Sequence, residues 1–431
     1  MEARQAGAQL EATPWQRFAW CTLDWANSAF PTVVITFVFA AYFTKAVAAD
    51  EVTGTSEWAY ALSLSALAVA VASPILGAIA DKAGRRKPWI GVFSVLCVGA
   101  TAVLWFAAPD PSNVLWVLAF VALANFAFET GMVFYNAMLP SLVPPDKVGR
   151  LSGWGWGFGY AGGLVCLVIS LLVLVQPDPP LFGLDKETYE PVRATALLVA
   201  GWFAVFCIPF FLFVPDVPAG TLPASEAVRQ GLHTLLQTFR RIREHRQIAL
   251  FLLARMIYTD GLNTMFSVGG IYAAVTFGMT FDEILLFGIA LNVTAGIGAF
   301  VFGWVDDWIG AKRTILIAVG ALTILGAALL VIESKTLFWV IALPLGLFFG
   351  PAQSASRSLM ARVAPPHLRT EMFGLYALSG KATAFLGPAA FGFVTAMADS
   401  QRVGLATVLV FFVVGMLLLL PVRDPQASAK R

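Results

Sequence analysis

The sequence predicts an all-α membrane protein with twelve transmembrane helices in two six-helix halves, and three observations predict it. Of 431 residues, 58% are hydrophobic and 13% charged, with a mean hydropathy of +0.77, whereas soluble domains carry charge on roughly a quarter of their residues. Apolar runs long enough to cross about 30 Å of hydrocarbon at about 1.5 Å per residue recur along the whole chain. A basic loop also recurs. Gly77-Ala-Ile-Ala-Asp81-Lys82-Ala-Gly84-Arg85-Arg86-Lys87 is answered 226 residues later by Gly303-Trp-Val-Asp306-Asp307-Trp-Ile-Gly310-Ala311-Lys312-Arg313. A repeat at half the chain length implies two related halves.

In chain order, residues 1–17 form a polar tail, too weakly basic for a signal peptide, and the run after it is too long for a cleaved leader. The first half, 18–214, contains runs near 18–48, 57–80, 89–108, 114–138, 152–176 and 193–214. Residues 215–246 form a linker in which Val228, Leu232, Leu235, Phe239 and Ile242 recur at helical spacing opposite Arg240, Arg241, Arg243 and Arg246, as in an amphipathic helix lying on headgroups. The second half, 247–421, contains runs near 247–276, 283–305, 313–332, 337–360, 373–398 and 404–421, and 422–431 form a second tail. Lys and Arg fix the orientation: the tails and even-to-odd connections hold 20 of the 28, the opposite connections five. Both termini are therefore expected in the cytoplasm of a cell's inner membrane.

The two loops follow the pattern G-x-x-x-D-x-x-G-R-[RK]-[KR]. The glycines allow close helix approach, the acid suits a helix cap, and the cations anchor the loop. In position and pattern the loop resembles the signature of the major facilitator superfamily, and its copy stands after the eighth helix, as in that family. Gly77, Asp81, Gly84, Arg85 and Arg86, with Gly303, Asp307 and Gly310, are thus expected to form a cytoplasmic gate. The second copy should act more weakly, because Ala311 stands where Arg85 does. Further phrases narrow the resemblance: Asp24-Trp-Ala-Asn27, Phe134-Tyr135-Asn136, Asp260-Gly-Leu-Asn263, Phe373-Gly-Leu-Tyr376, Gly380-Lys381 and Gly387-Pro388. Together they look like the Unknown Major Facilitator family, related to the fungal vacuolar amino-acid effluxers. The resemblance implies secondary transport with a midplane site between parallel halves.

Charges inside the bilayer are costly, so each retained one is a candidate site. Asp24, Glu129, Arg255, Asp260, Arg357 and Lys381 fall inside predicted helices, with Asn27, Tyr135, Asn136 and Asn263 beside them. All but Glu129 are expected to bind substrate. Three acids facing three bases suit a near-neutral cavity for a zwitterion such as an amino acid; that the pairs merely join helices stays open. Glu129, flanked by Phe128 and Gly131, is expected to carry a coupling proton, with Asp24 and Asp260 as rivals.

Other chemistry lacks its residues. The four cysteines and three histidines are scattered, so no metal site, disulfide framework or cofactor is expected. Gly380-Lys381 lacks the spacing of a phosphate loop, and Gly157-Phe-Gly159-Tyr-Ala-Gly162 lies within an apolar helix, so nucleotide binding and enzyme activity are disfavoured. The expected partners are a small polar substrate, protons or another coupling ion, and membrane lipids, with no nucleic acid and a monomeric state. A lipid-like or amphiphilic substrate, suggested by 35 Phe and 13 Trp, is the alternative within transport. A receptor on the same scaffold is the alternative outside it.

Overall fold

The computed structural model describes residues 11–220, 222–240 and 244–425, and these contain helix, turn and loop but no strand. Among the described residues, ten helical stretches are long and apolar enough to cross a membrane: Pro14–Val47, Glu51–Ala83, Lys87–Phe106, Pro111–Leu142, Pro145–Val175, Glu190–Phe213, Glu283–Ile309, Ala311–Val331, Lys335–Val363 and Gln401–Leu419. The chain is an integral membrane protein.

The elements start and stop on recognisable signals. α1 (Pro14–Asn27) opens on a capping box between Thr13 and Gln16 with a proline in its first turn. Pro31, which has no N–H to donate, lies in the π-helical stretch Phe30–Phe37; α2 (Phe39–Tyr42) and a second π turn, Phe43–Val47, complete this span. α3 (Glu51–Ala83) is capped by Asp50 and stops at Gly84, whose φ of 86° suits glycine. α4 (Lys87–Val103), α5 (Val114–Leu142), α6 (Val148–Ile169), α7 (Glu190–Phe206) and α8 (Ile208–Phe213) complete the N-terminal set.

α9 (Ala224–Arg240) occupies the linker. It turns Ala227, Gly231, Leu235 and Thr238 inward and leaves Val228 and Leu232 exposed. The buried stripe is the one bearing small residues, because Gly231 sits against the backbone of Ile79 on α3, closer than any side chain would allow. The Phe239 side chain, Arg241, Ile242 and Arg243, assigned to this helix from the sequence, and most of both tails lie outside the described residues.

The C-terminal set comprises α10 (Arg246–Phe277), α11 (Phe281–Ile309), α12 (Ala311–Val331), α13 (Lys335–Val363), α14 (Arg369–Ser379), α15 (Leu386–Ala398) and α16 (Gln401–Leu419). One expectation needs correcting here. The run at 373–398 is two helices, with α14 ending at Ser379 and α15 starting at Leu386. Pro388 explains the break: it is tolerated in the first turn of α15 but cannot donate to the carbonyl four residues earlier.

Lipid tails give apolar helices no hydrophobic reason to associate, so small residues and tight contact must join them. Two seams connect the N-terminal and C-terminal sets, α6 along α11 and α3 along α14. A Cβ on Gly153 would collide with the Ala299 carbonyl, one on Gly77 with the Thr370 carbonyl, and one on Gly374 with the Ser73 carbonyl. Gly153→Ala is expected to destabilise the protein by about 1–3 kcal/mol, since backbone cannot yield as a side chain can. Gly269→Ala, on the same scale, should gain about 0.5–1 kcal/mol, because nothing lies within 4 Å of the added methyl. Thermal unfolding of the purified protein in detergent checks both signs.

Candidate functional site

The basic loops close one end of the molecule. Asp81, at the end of α3, accepts the N–H groups of Thr370 and Glu371 at 3.0 and 2.9 Å, capping the first turn of α14. Arg86 lies 3.6 Å from Asp81, and its guanidinium donates to the Thr370 hydroxyl and the Ala137 carbonyl, both at 3.0 Å. Arg85 is exposed at the rim and takes no part in this cap. Asp307, at the end of α11, accepts the N–H groups of Gly149 and Arg150 at 2.8 and 3.2 Å, capping α6 in the same way.

The second network is denser than the first, contrary to the expectation drawn from Ala311. Asp307 pairs with Arg150 at 2.8 Å and with Arg362 at 3.2 Å. Arg362 also pairs with Asp306, which takes the Ser358 hydroxyl as well. The compensating cations come from α6 and α13, distant in sequence, so the local motif could not reveal them. Gly303 packs against Arg150, and Gly310, at φ 94°, against Asp424.

Nearer the middle, Arg357 of α13 is buried to 1% exposure and gathers four helices. It pairs with Asp24 of α1 at 3.2 Å, donates to the side-chain amide oxygen of Asn136 on α5 at 3.1 Å, and reaches the hydroxyl and backbone carbonyl of Ser152 on α6 at 2.9 and 2.6 Å. The Tyr135 hydroxyl donates to Asp24 at 2.8 Å, with the Tyr135 ring stacked on Trp20. Breaking such a pair would strand a buried charge, at a cost of about 3–5 kcal/mol. Ser152 escaped sequence reading because it stands among packing glycines.

A cavity of about 280 Å³ lies beside this knot, lined by Glu129, Asn136, Trp156, Arg255, Asn263, Gln353, Ser356, Arg357, Tyr376 and Lys381 among others. Lys381, in the break between α14 and α15, pairs with Glu129 at 2.7 Å, both half-open to the cavity. Sequence reading set only Phe128 and Gly131 beside Glu129; the fold adds a cation from the opposite set. Arg255 donates to the Tyr376 carbonyl and the Ser379 hydroxyl, both at 2.7 Å, and its guanidinium lies 3.5 Å over the Tyr376 ring. Among the described residues no carboxylate stands within ion-pair distance of it.

Four expected ligands do not line this cavity. Asp24 and Tyr135 are enclosed behind Arg357, and Asn27 donates to the Met132 sulfur at 3.1 Å. Asp260 faces Thr383 in the α14–α15 break, since five residues from Arg255 on a helix is another face. The even balance of acids and bases is thus not kept in the cavity, where three cations meet one carboxylate. Sequence reading also missed Tyr376 as the Arg255 platform, and Glu371, a fully buried carboxylate near Asp81, Lys82 and Thr238.

Helical spans closed at a basic end around a polar cavity define a membrane transporter, and the fold agrees with known ones. The structure matches the E. coli fucose:proton symporter FucP with a TM-score of 0.69 at 15% identity, covering 94% of this chain and 97% of that one. It matches the proton:xylose symporter XylE with a TM-score of 0.70 at 14% identity, covering 95% and 96%. These are major facilitator transporters and not enzymes. The family profile described as vacuole effluxer Atg22 like matches residues 44–430, and the chain belongs to that family. It is 27% identical to the uncharacterized MFS-type transporter YxiO of Bacillus subtilis (strain 168) over 94% of both chains. It is 22% identical to autophagy-related protein 22 of Saccharomyces cerevisiae (strain ATCC 204508 / S288c), over 79% of this chain and 70% of that protein.

The unequal caps give a ranked expectation. Asp307→Asn should cost on the order of 2–3 kcal/mol, less than a fully enclosed pair because Arg150 is 34% exposed. Asp81→Asn keeps one oxygen for the cap, turns the other acceptor into an NH2 facing an N–H and loses a long ion pair, so about 1–2 kcal/mol is expected. Thermal unfolding, with maleimide labelling of a cysteine placed inside the basic end, checks the order. An equal or larger loss for Asp81→Asn would reverse it.

Proposed function

We propose that this protein is a secondary active transporter that moves a small, carboxylate-bearing polar solute, with amino acids as the leading class, by alternating access. In this reading α10 and the broken α14–α15 pair also cross the bilayer, giving twelve spans, six before and six after the 215–246 linker. The carrying observation is Arg255: it lines the cavity and has no carboxylate partner among the described residues, so a ligand carboxylate is the missing counter-charge. The cavity volume lies near the small end of the roughly 300–1,000 Å³ typical of ligand pockets, which suits a compact solute. Lysine and arginine counts support cytoplasmic termini and a cell inner membrane. The closed basic end is then the cytoplasmic gate, and the molecule acts as a monomer.

Glu129 and Lys381 supply the proposed proton step. Protonating Glu129 releases Lys381 to the cavity, where it joins Arg255 in holding a ligand carboxylate; deprotonation restores the pair and weakens that hold. The substrate amine competes with Lys381 for Glu129. An amphiphile is the second reading. An apolar crevice of about 410 Å³ between α1, α6 and α11, bordered by Trp25, Phe158, Tyr160 and Phe300, favours it.

A thermal-shift screen against amino acids, peptides, sugars and lysolipids, followed by counterflow in proteoliposomes, tests the proposal. Amino acids should raise the unfolding temperature and drive counterflow. Arg255→Gln should weaken binding by about 10- to 100-fold, the worth of a charge-assisted hydrogen bond, with a smaller loss of unliganded stability from the Tyr376 and Ser379 contacts. Stabilisation by lysolipids alone, unchanged in Arg255→Gln, would overturn the carboxylate reading in favour of the amphiphile.

A further inference from the structure

We propose that Asp260, with Thr383 and the backbone of the α14–α15 break, forms a binding site for a small monovalent cation, separate from the Glu129–Lys381 pair. Asp260 is 1% exposed, yet neither carboxylate oxygen has a hydrogen-bond partner. The neighbouring Thr383 hydroxyl is close enough to attract the carboxylate but makes no well-formed hydrogen bond to it. Thr264, one turn along α10, gives its hydroxyl to the Asp260 backbone carbonyl at 2.7 Å, so it does not serve the carboxylate. An enclosed carboxylate without a well-formed hydrogen bond is costly to keep charged, and a bound cation lowers that cost.

The surroundings suit a cation and offer no competing one. Residues 380–385 leave regular helix, and Pro388 removes the donor that the Ala384 carbonyl would have met in a continuous helix. Interrupted helices of this kind present backbone carbonyls to small cations in other transporters. The nearest charged groups along the chain are committed elsewhere: Arg255 to Tyr376 and Ser379, Lys381 to Glu129. From α16, Phe411 and Phe412 pack on Gly261, and α15 packs flush on Asp260 and Thr264 through Gly387. No cation stands within ion-pair distance of Asp260 among the described residues.

The break carries both groups. Thr383 faces Asp260 from one side of it, and Lys381, two residues earlier, reaches Glu129 from the other. A cation at Asp260 therefore fixes the segment that presents Lys381 to the cavity. This coupling rests on the transport reading above; the binding itself does not.

The test uses purified full-length protein and needs no transported substrate. Dicyclohexylcarbodiimide, which modifies protonated carboxyls in apolar surroundings, is applied across a pH series and across NaCl against choline chloride, and peptide mass spectrometry reads labelling at Asp260. A several-fold loss of labelling with Na⁺ but not choline identifies a sodium site. A loss with rising pH that ignores Na⁺ is ordinary carboxyl deprotonation and overturns the sodium reading. Labelling at Asp260 that is indifferent to both overturns the proposal. Unfolding temperatures provide the second readout: in Asp260→Asn the parent's dependence on Na⁺ should shrink or vanish, and in Thr383→Val it should weaken. If Asp260→Asn keeps the parent's full dependence, the site is refuted even where labelling fails. A substrate screen with no hits, alongside cation sensitivity that needs Asp260, would sink the transport reading and leave this one standing.

Discussion

A helix that begins at the edge of a membrane leaves its first N–H groups without partners, and at a closed protein interface water cannot satisfy them. That constraint is met twice here by one device. Asp81 takes the first N–H groups of α14, and Asp307 those of α6, so each basic loop is bonded to a helix from the other set. Close backbone approach at Gly77, Gly153, Gly303 and Gly374 makes those bonds possible, because a side chain at any of them would hold the carboxylate out of reach. The central cavity depends on these seams. It ends where they begin.

Charge inside the bilayer is then sorted by exposure. Arg357 and Asp24 are paired with Tyr135, Asn136 and Ser152 around them, an arrangement that fixes four helices and leaves only Arg357 and Asn136 at the cavity edge. Glu129 and Lys381 are paired yet still open to the cavity, and Arg255 is held by a ring face and neutral oxygens alone. A cation over an aromatic ring keeps its charge available in a way that a salt-bridged cation does not. The cavity therefore presents a net positive surface although the bilayer charges, counted along the chain, balance.

Much of the architecture was legible because it is written in period and repeat. Helical segments follow the predicted apolar runs except at 373–398, where the helix is interrupted, and the duplicated loop marked the position of both caps. The misreadings share one cause: a sequence shows which residues are present but not which helix stands opposite. Glu129 looked isolated because Lys381 comes from 252 residues away. The second loop looked weak because Arg362 and Arg150 lie outside the motif. Asp260 looked like a cavity ligand because Asn263 shares its motif, but Asn263 lines the cavity and Asp260 faces the break. The break itself had a visible signal, Gly380 followed by Gly387-Pro388, that average hydropathy smooths over.

That break has a mechanical meaning. A continuous helix is a lever: tilt one end and the other swings with it. Here α14 is fastened to α3 at the basic end, while α15 lies along α16 and against α10. In the alternating-access cycle proposed above, the six residues between them would serve as a universal joint, letting the piece at the basic end lift without dragging the outer piece from its neighbours. Lys381 and Thr383 both ride in that joint, so the interruption of the helix and the groups that meet Glu129 and Asp260 share one short stretch of chain.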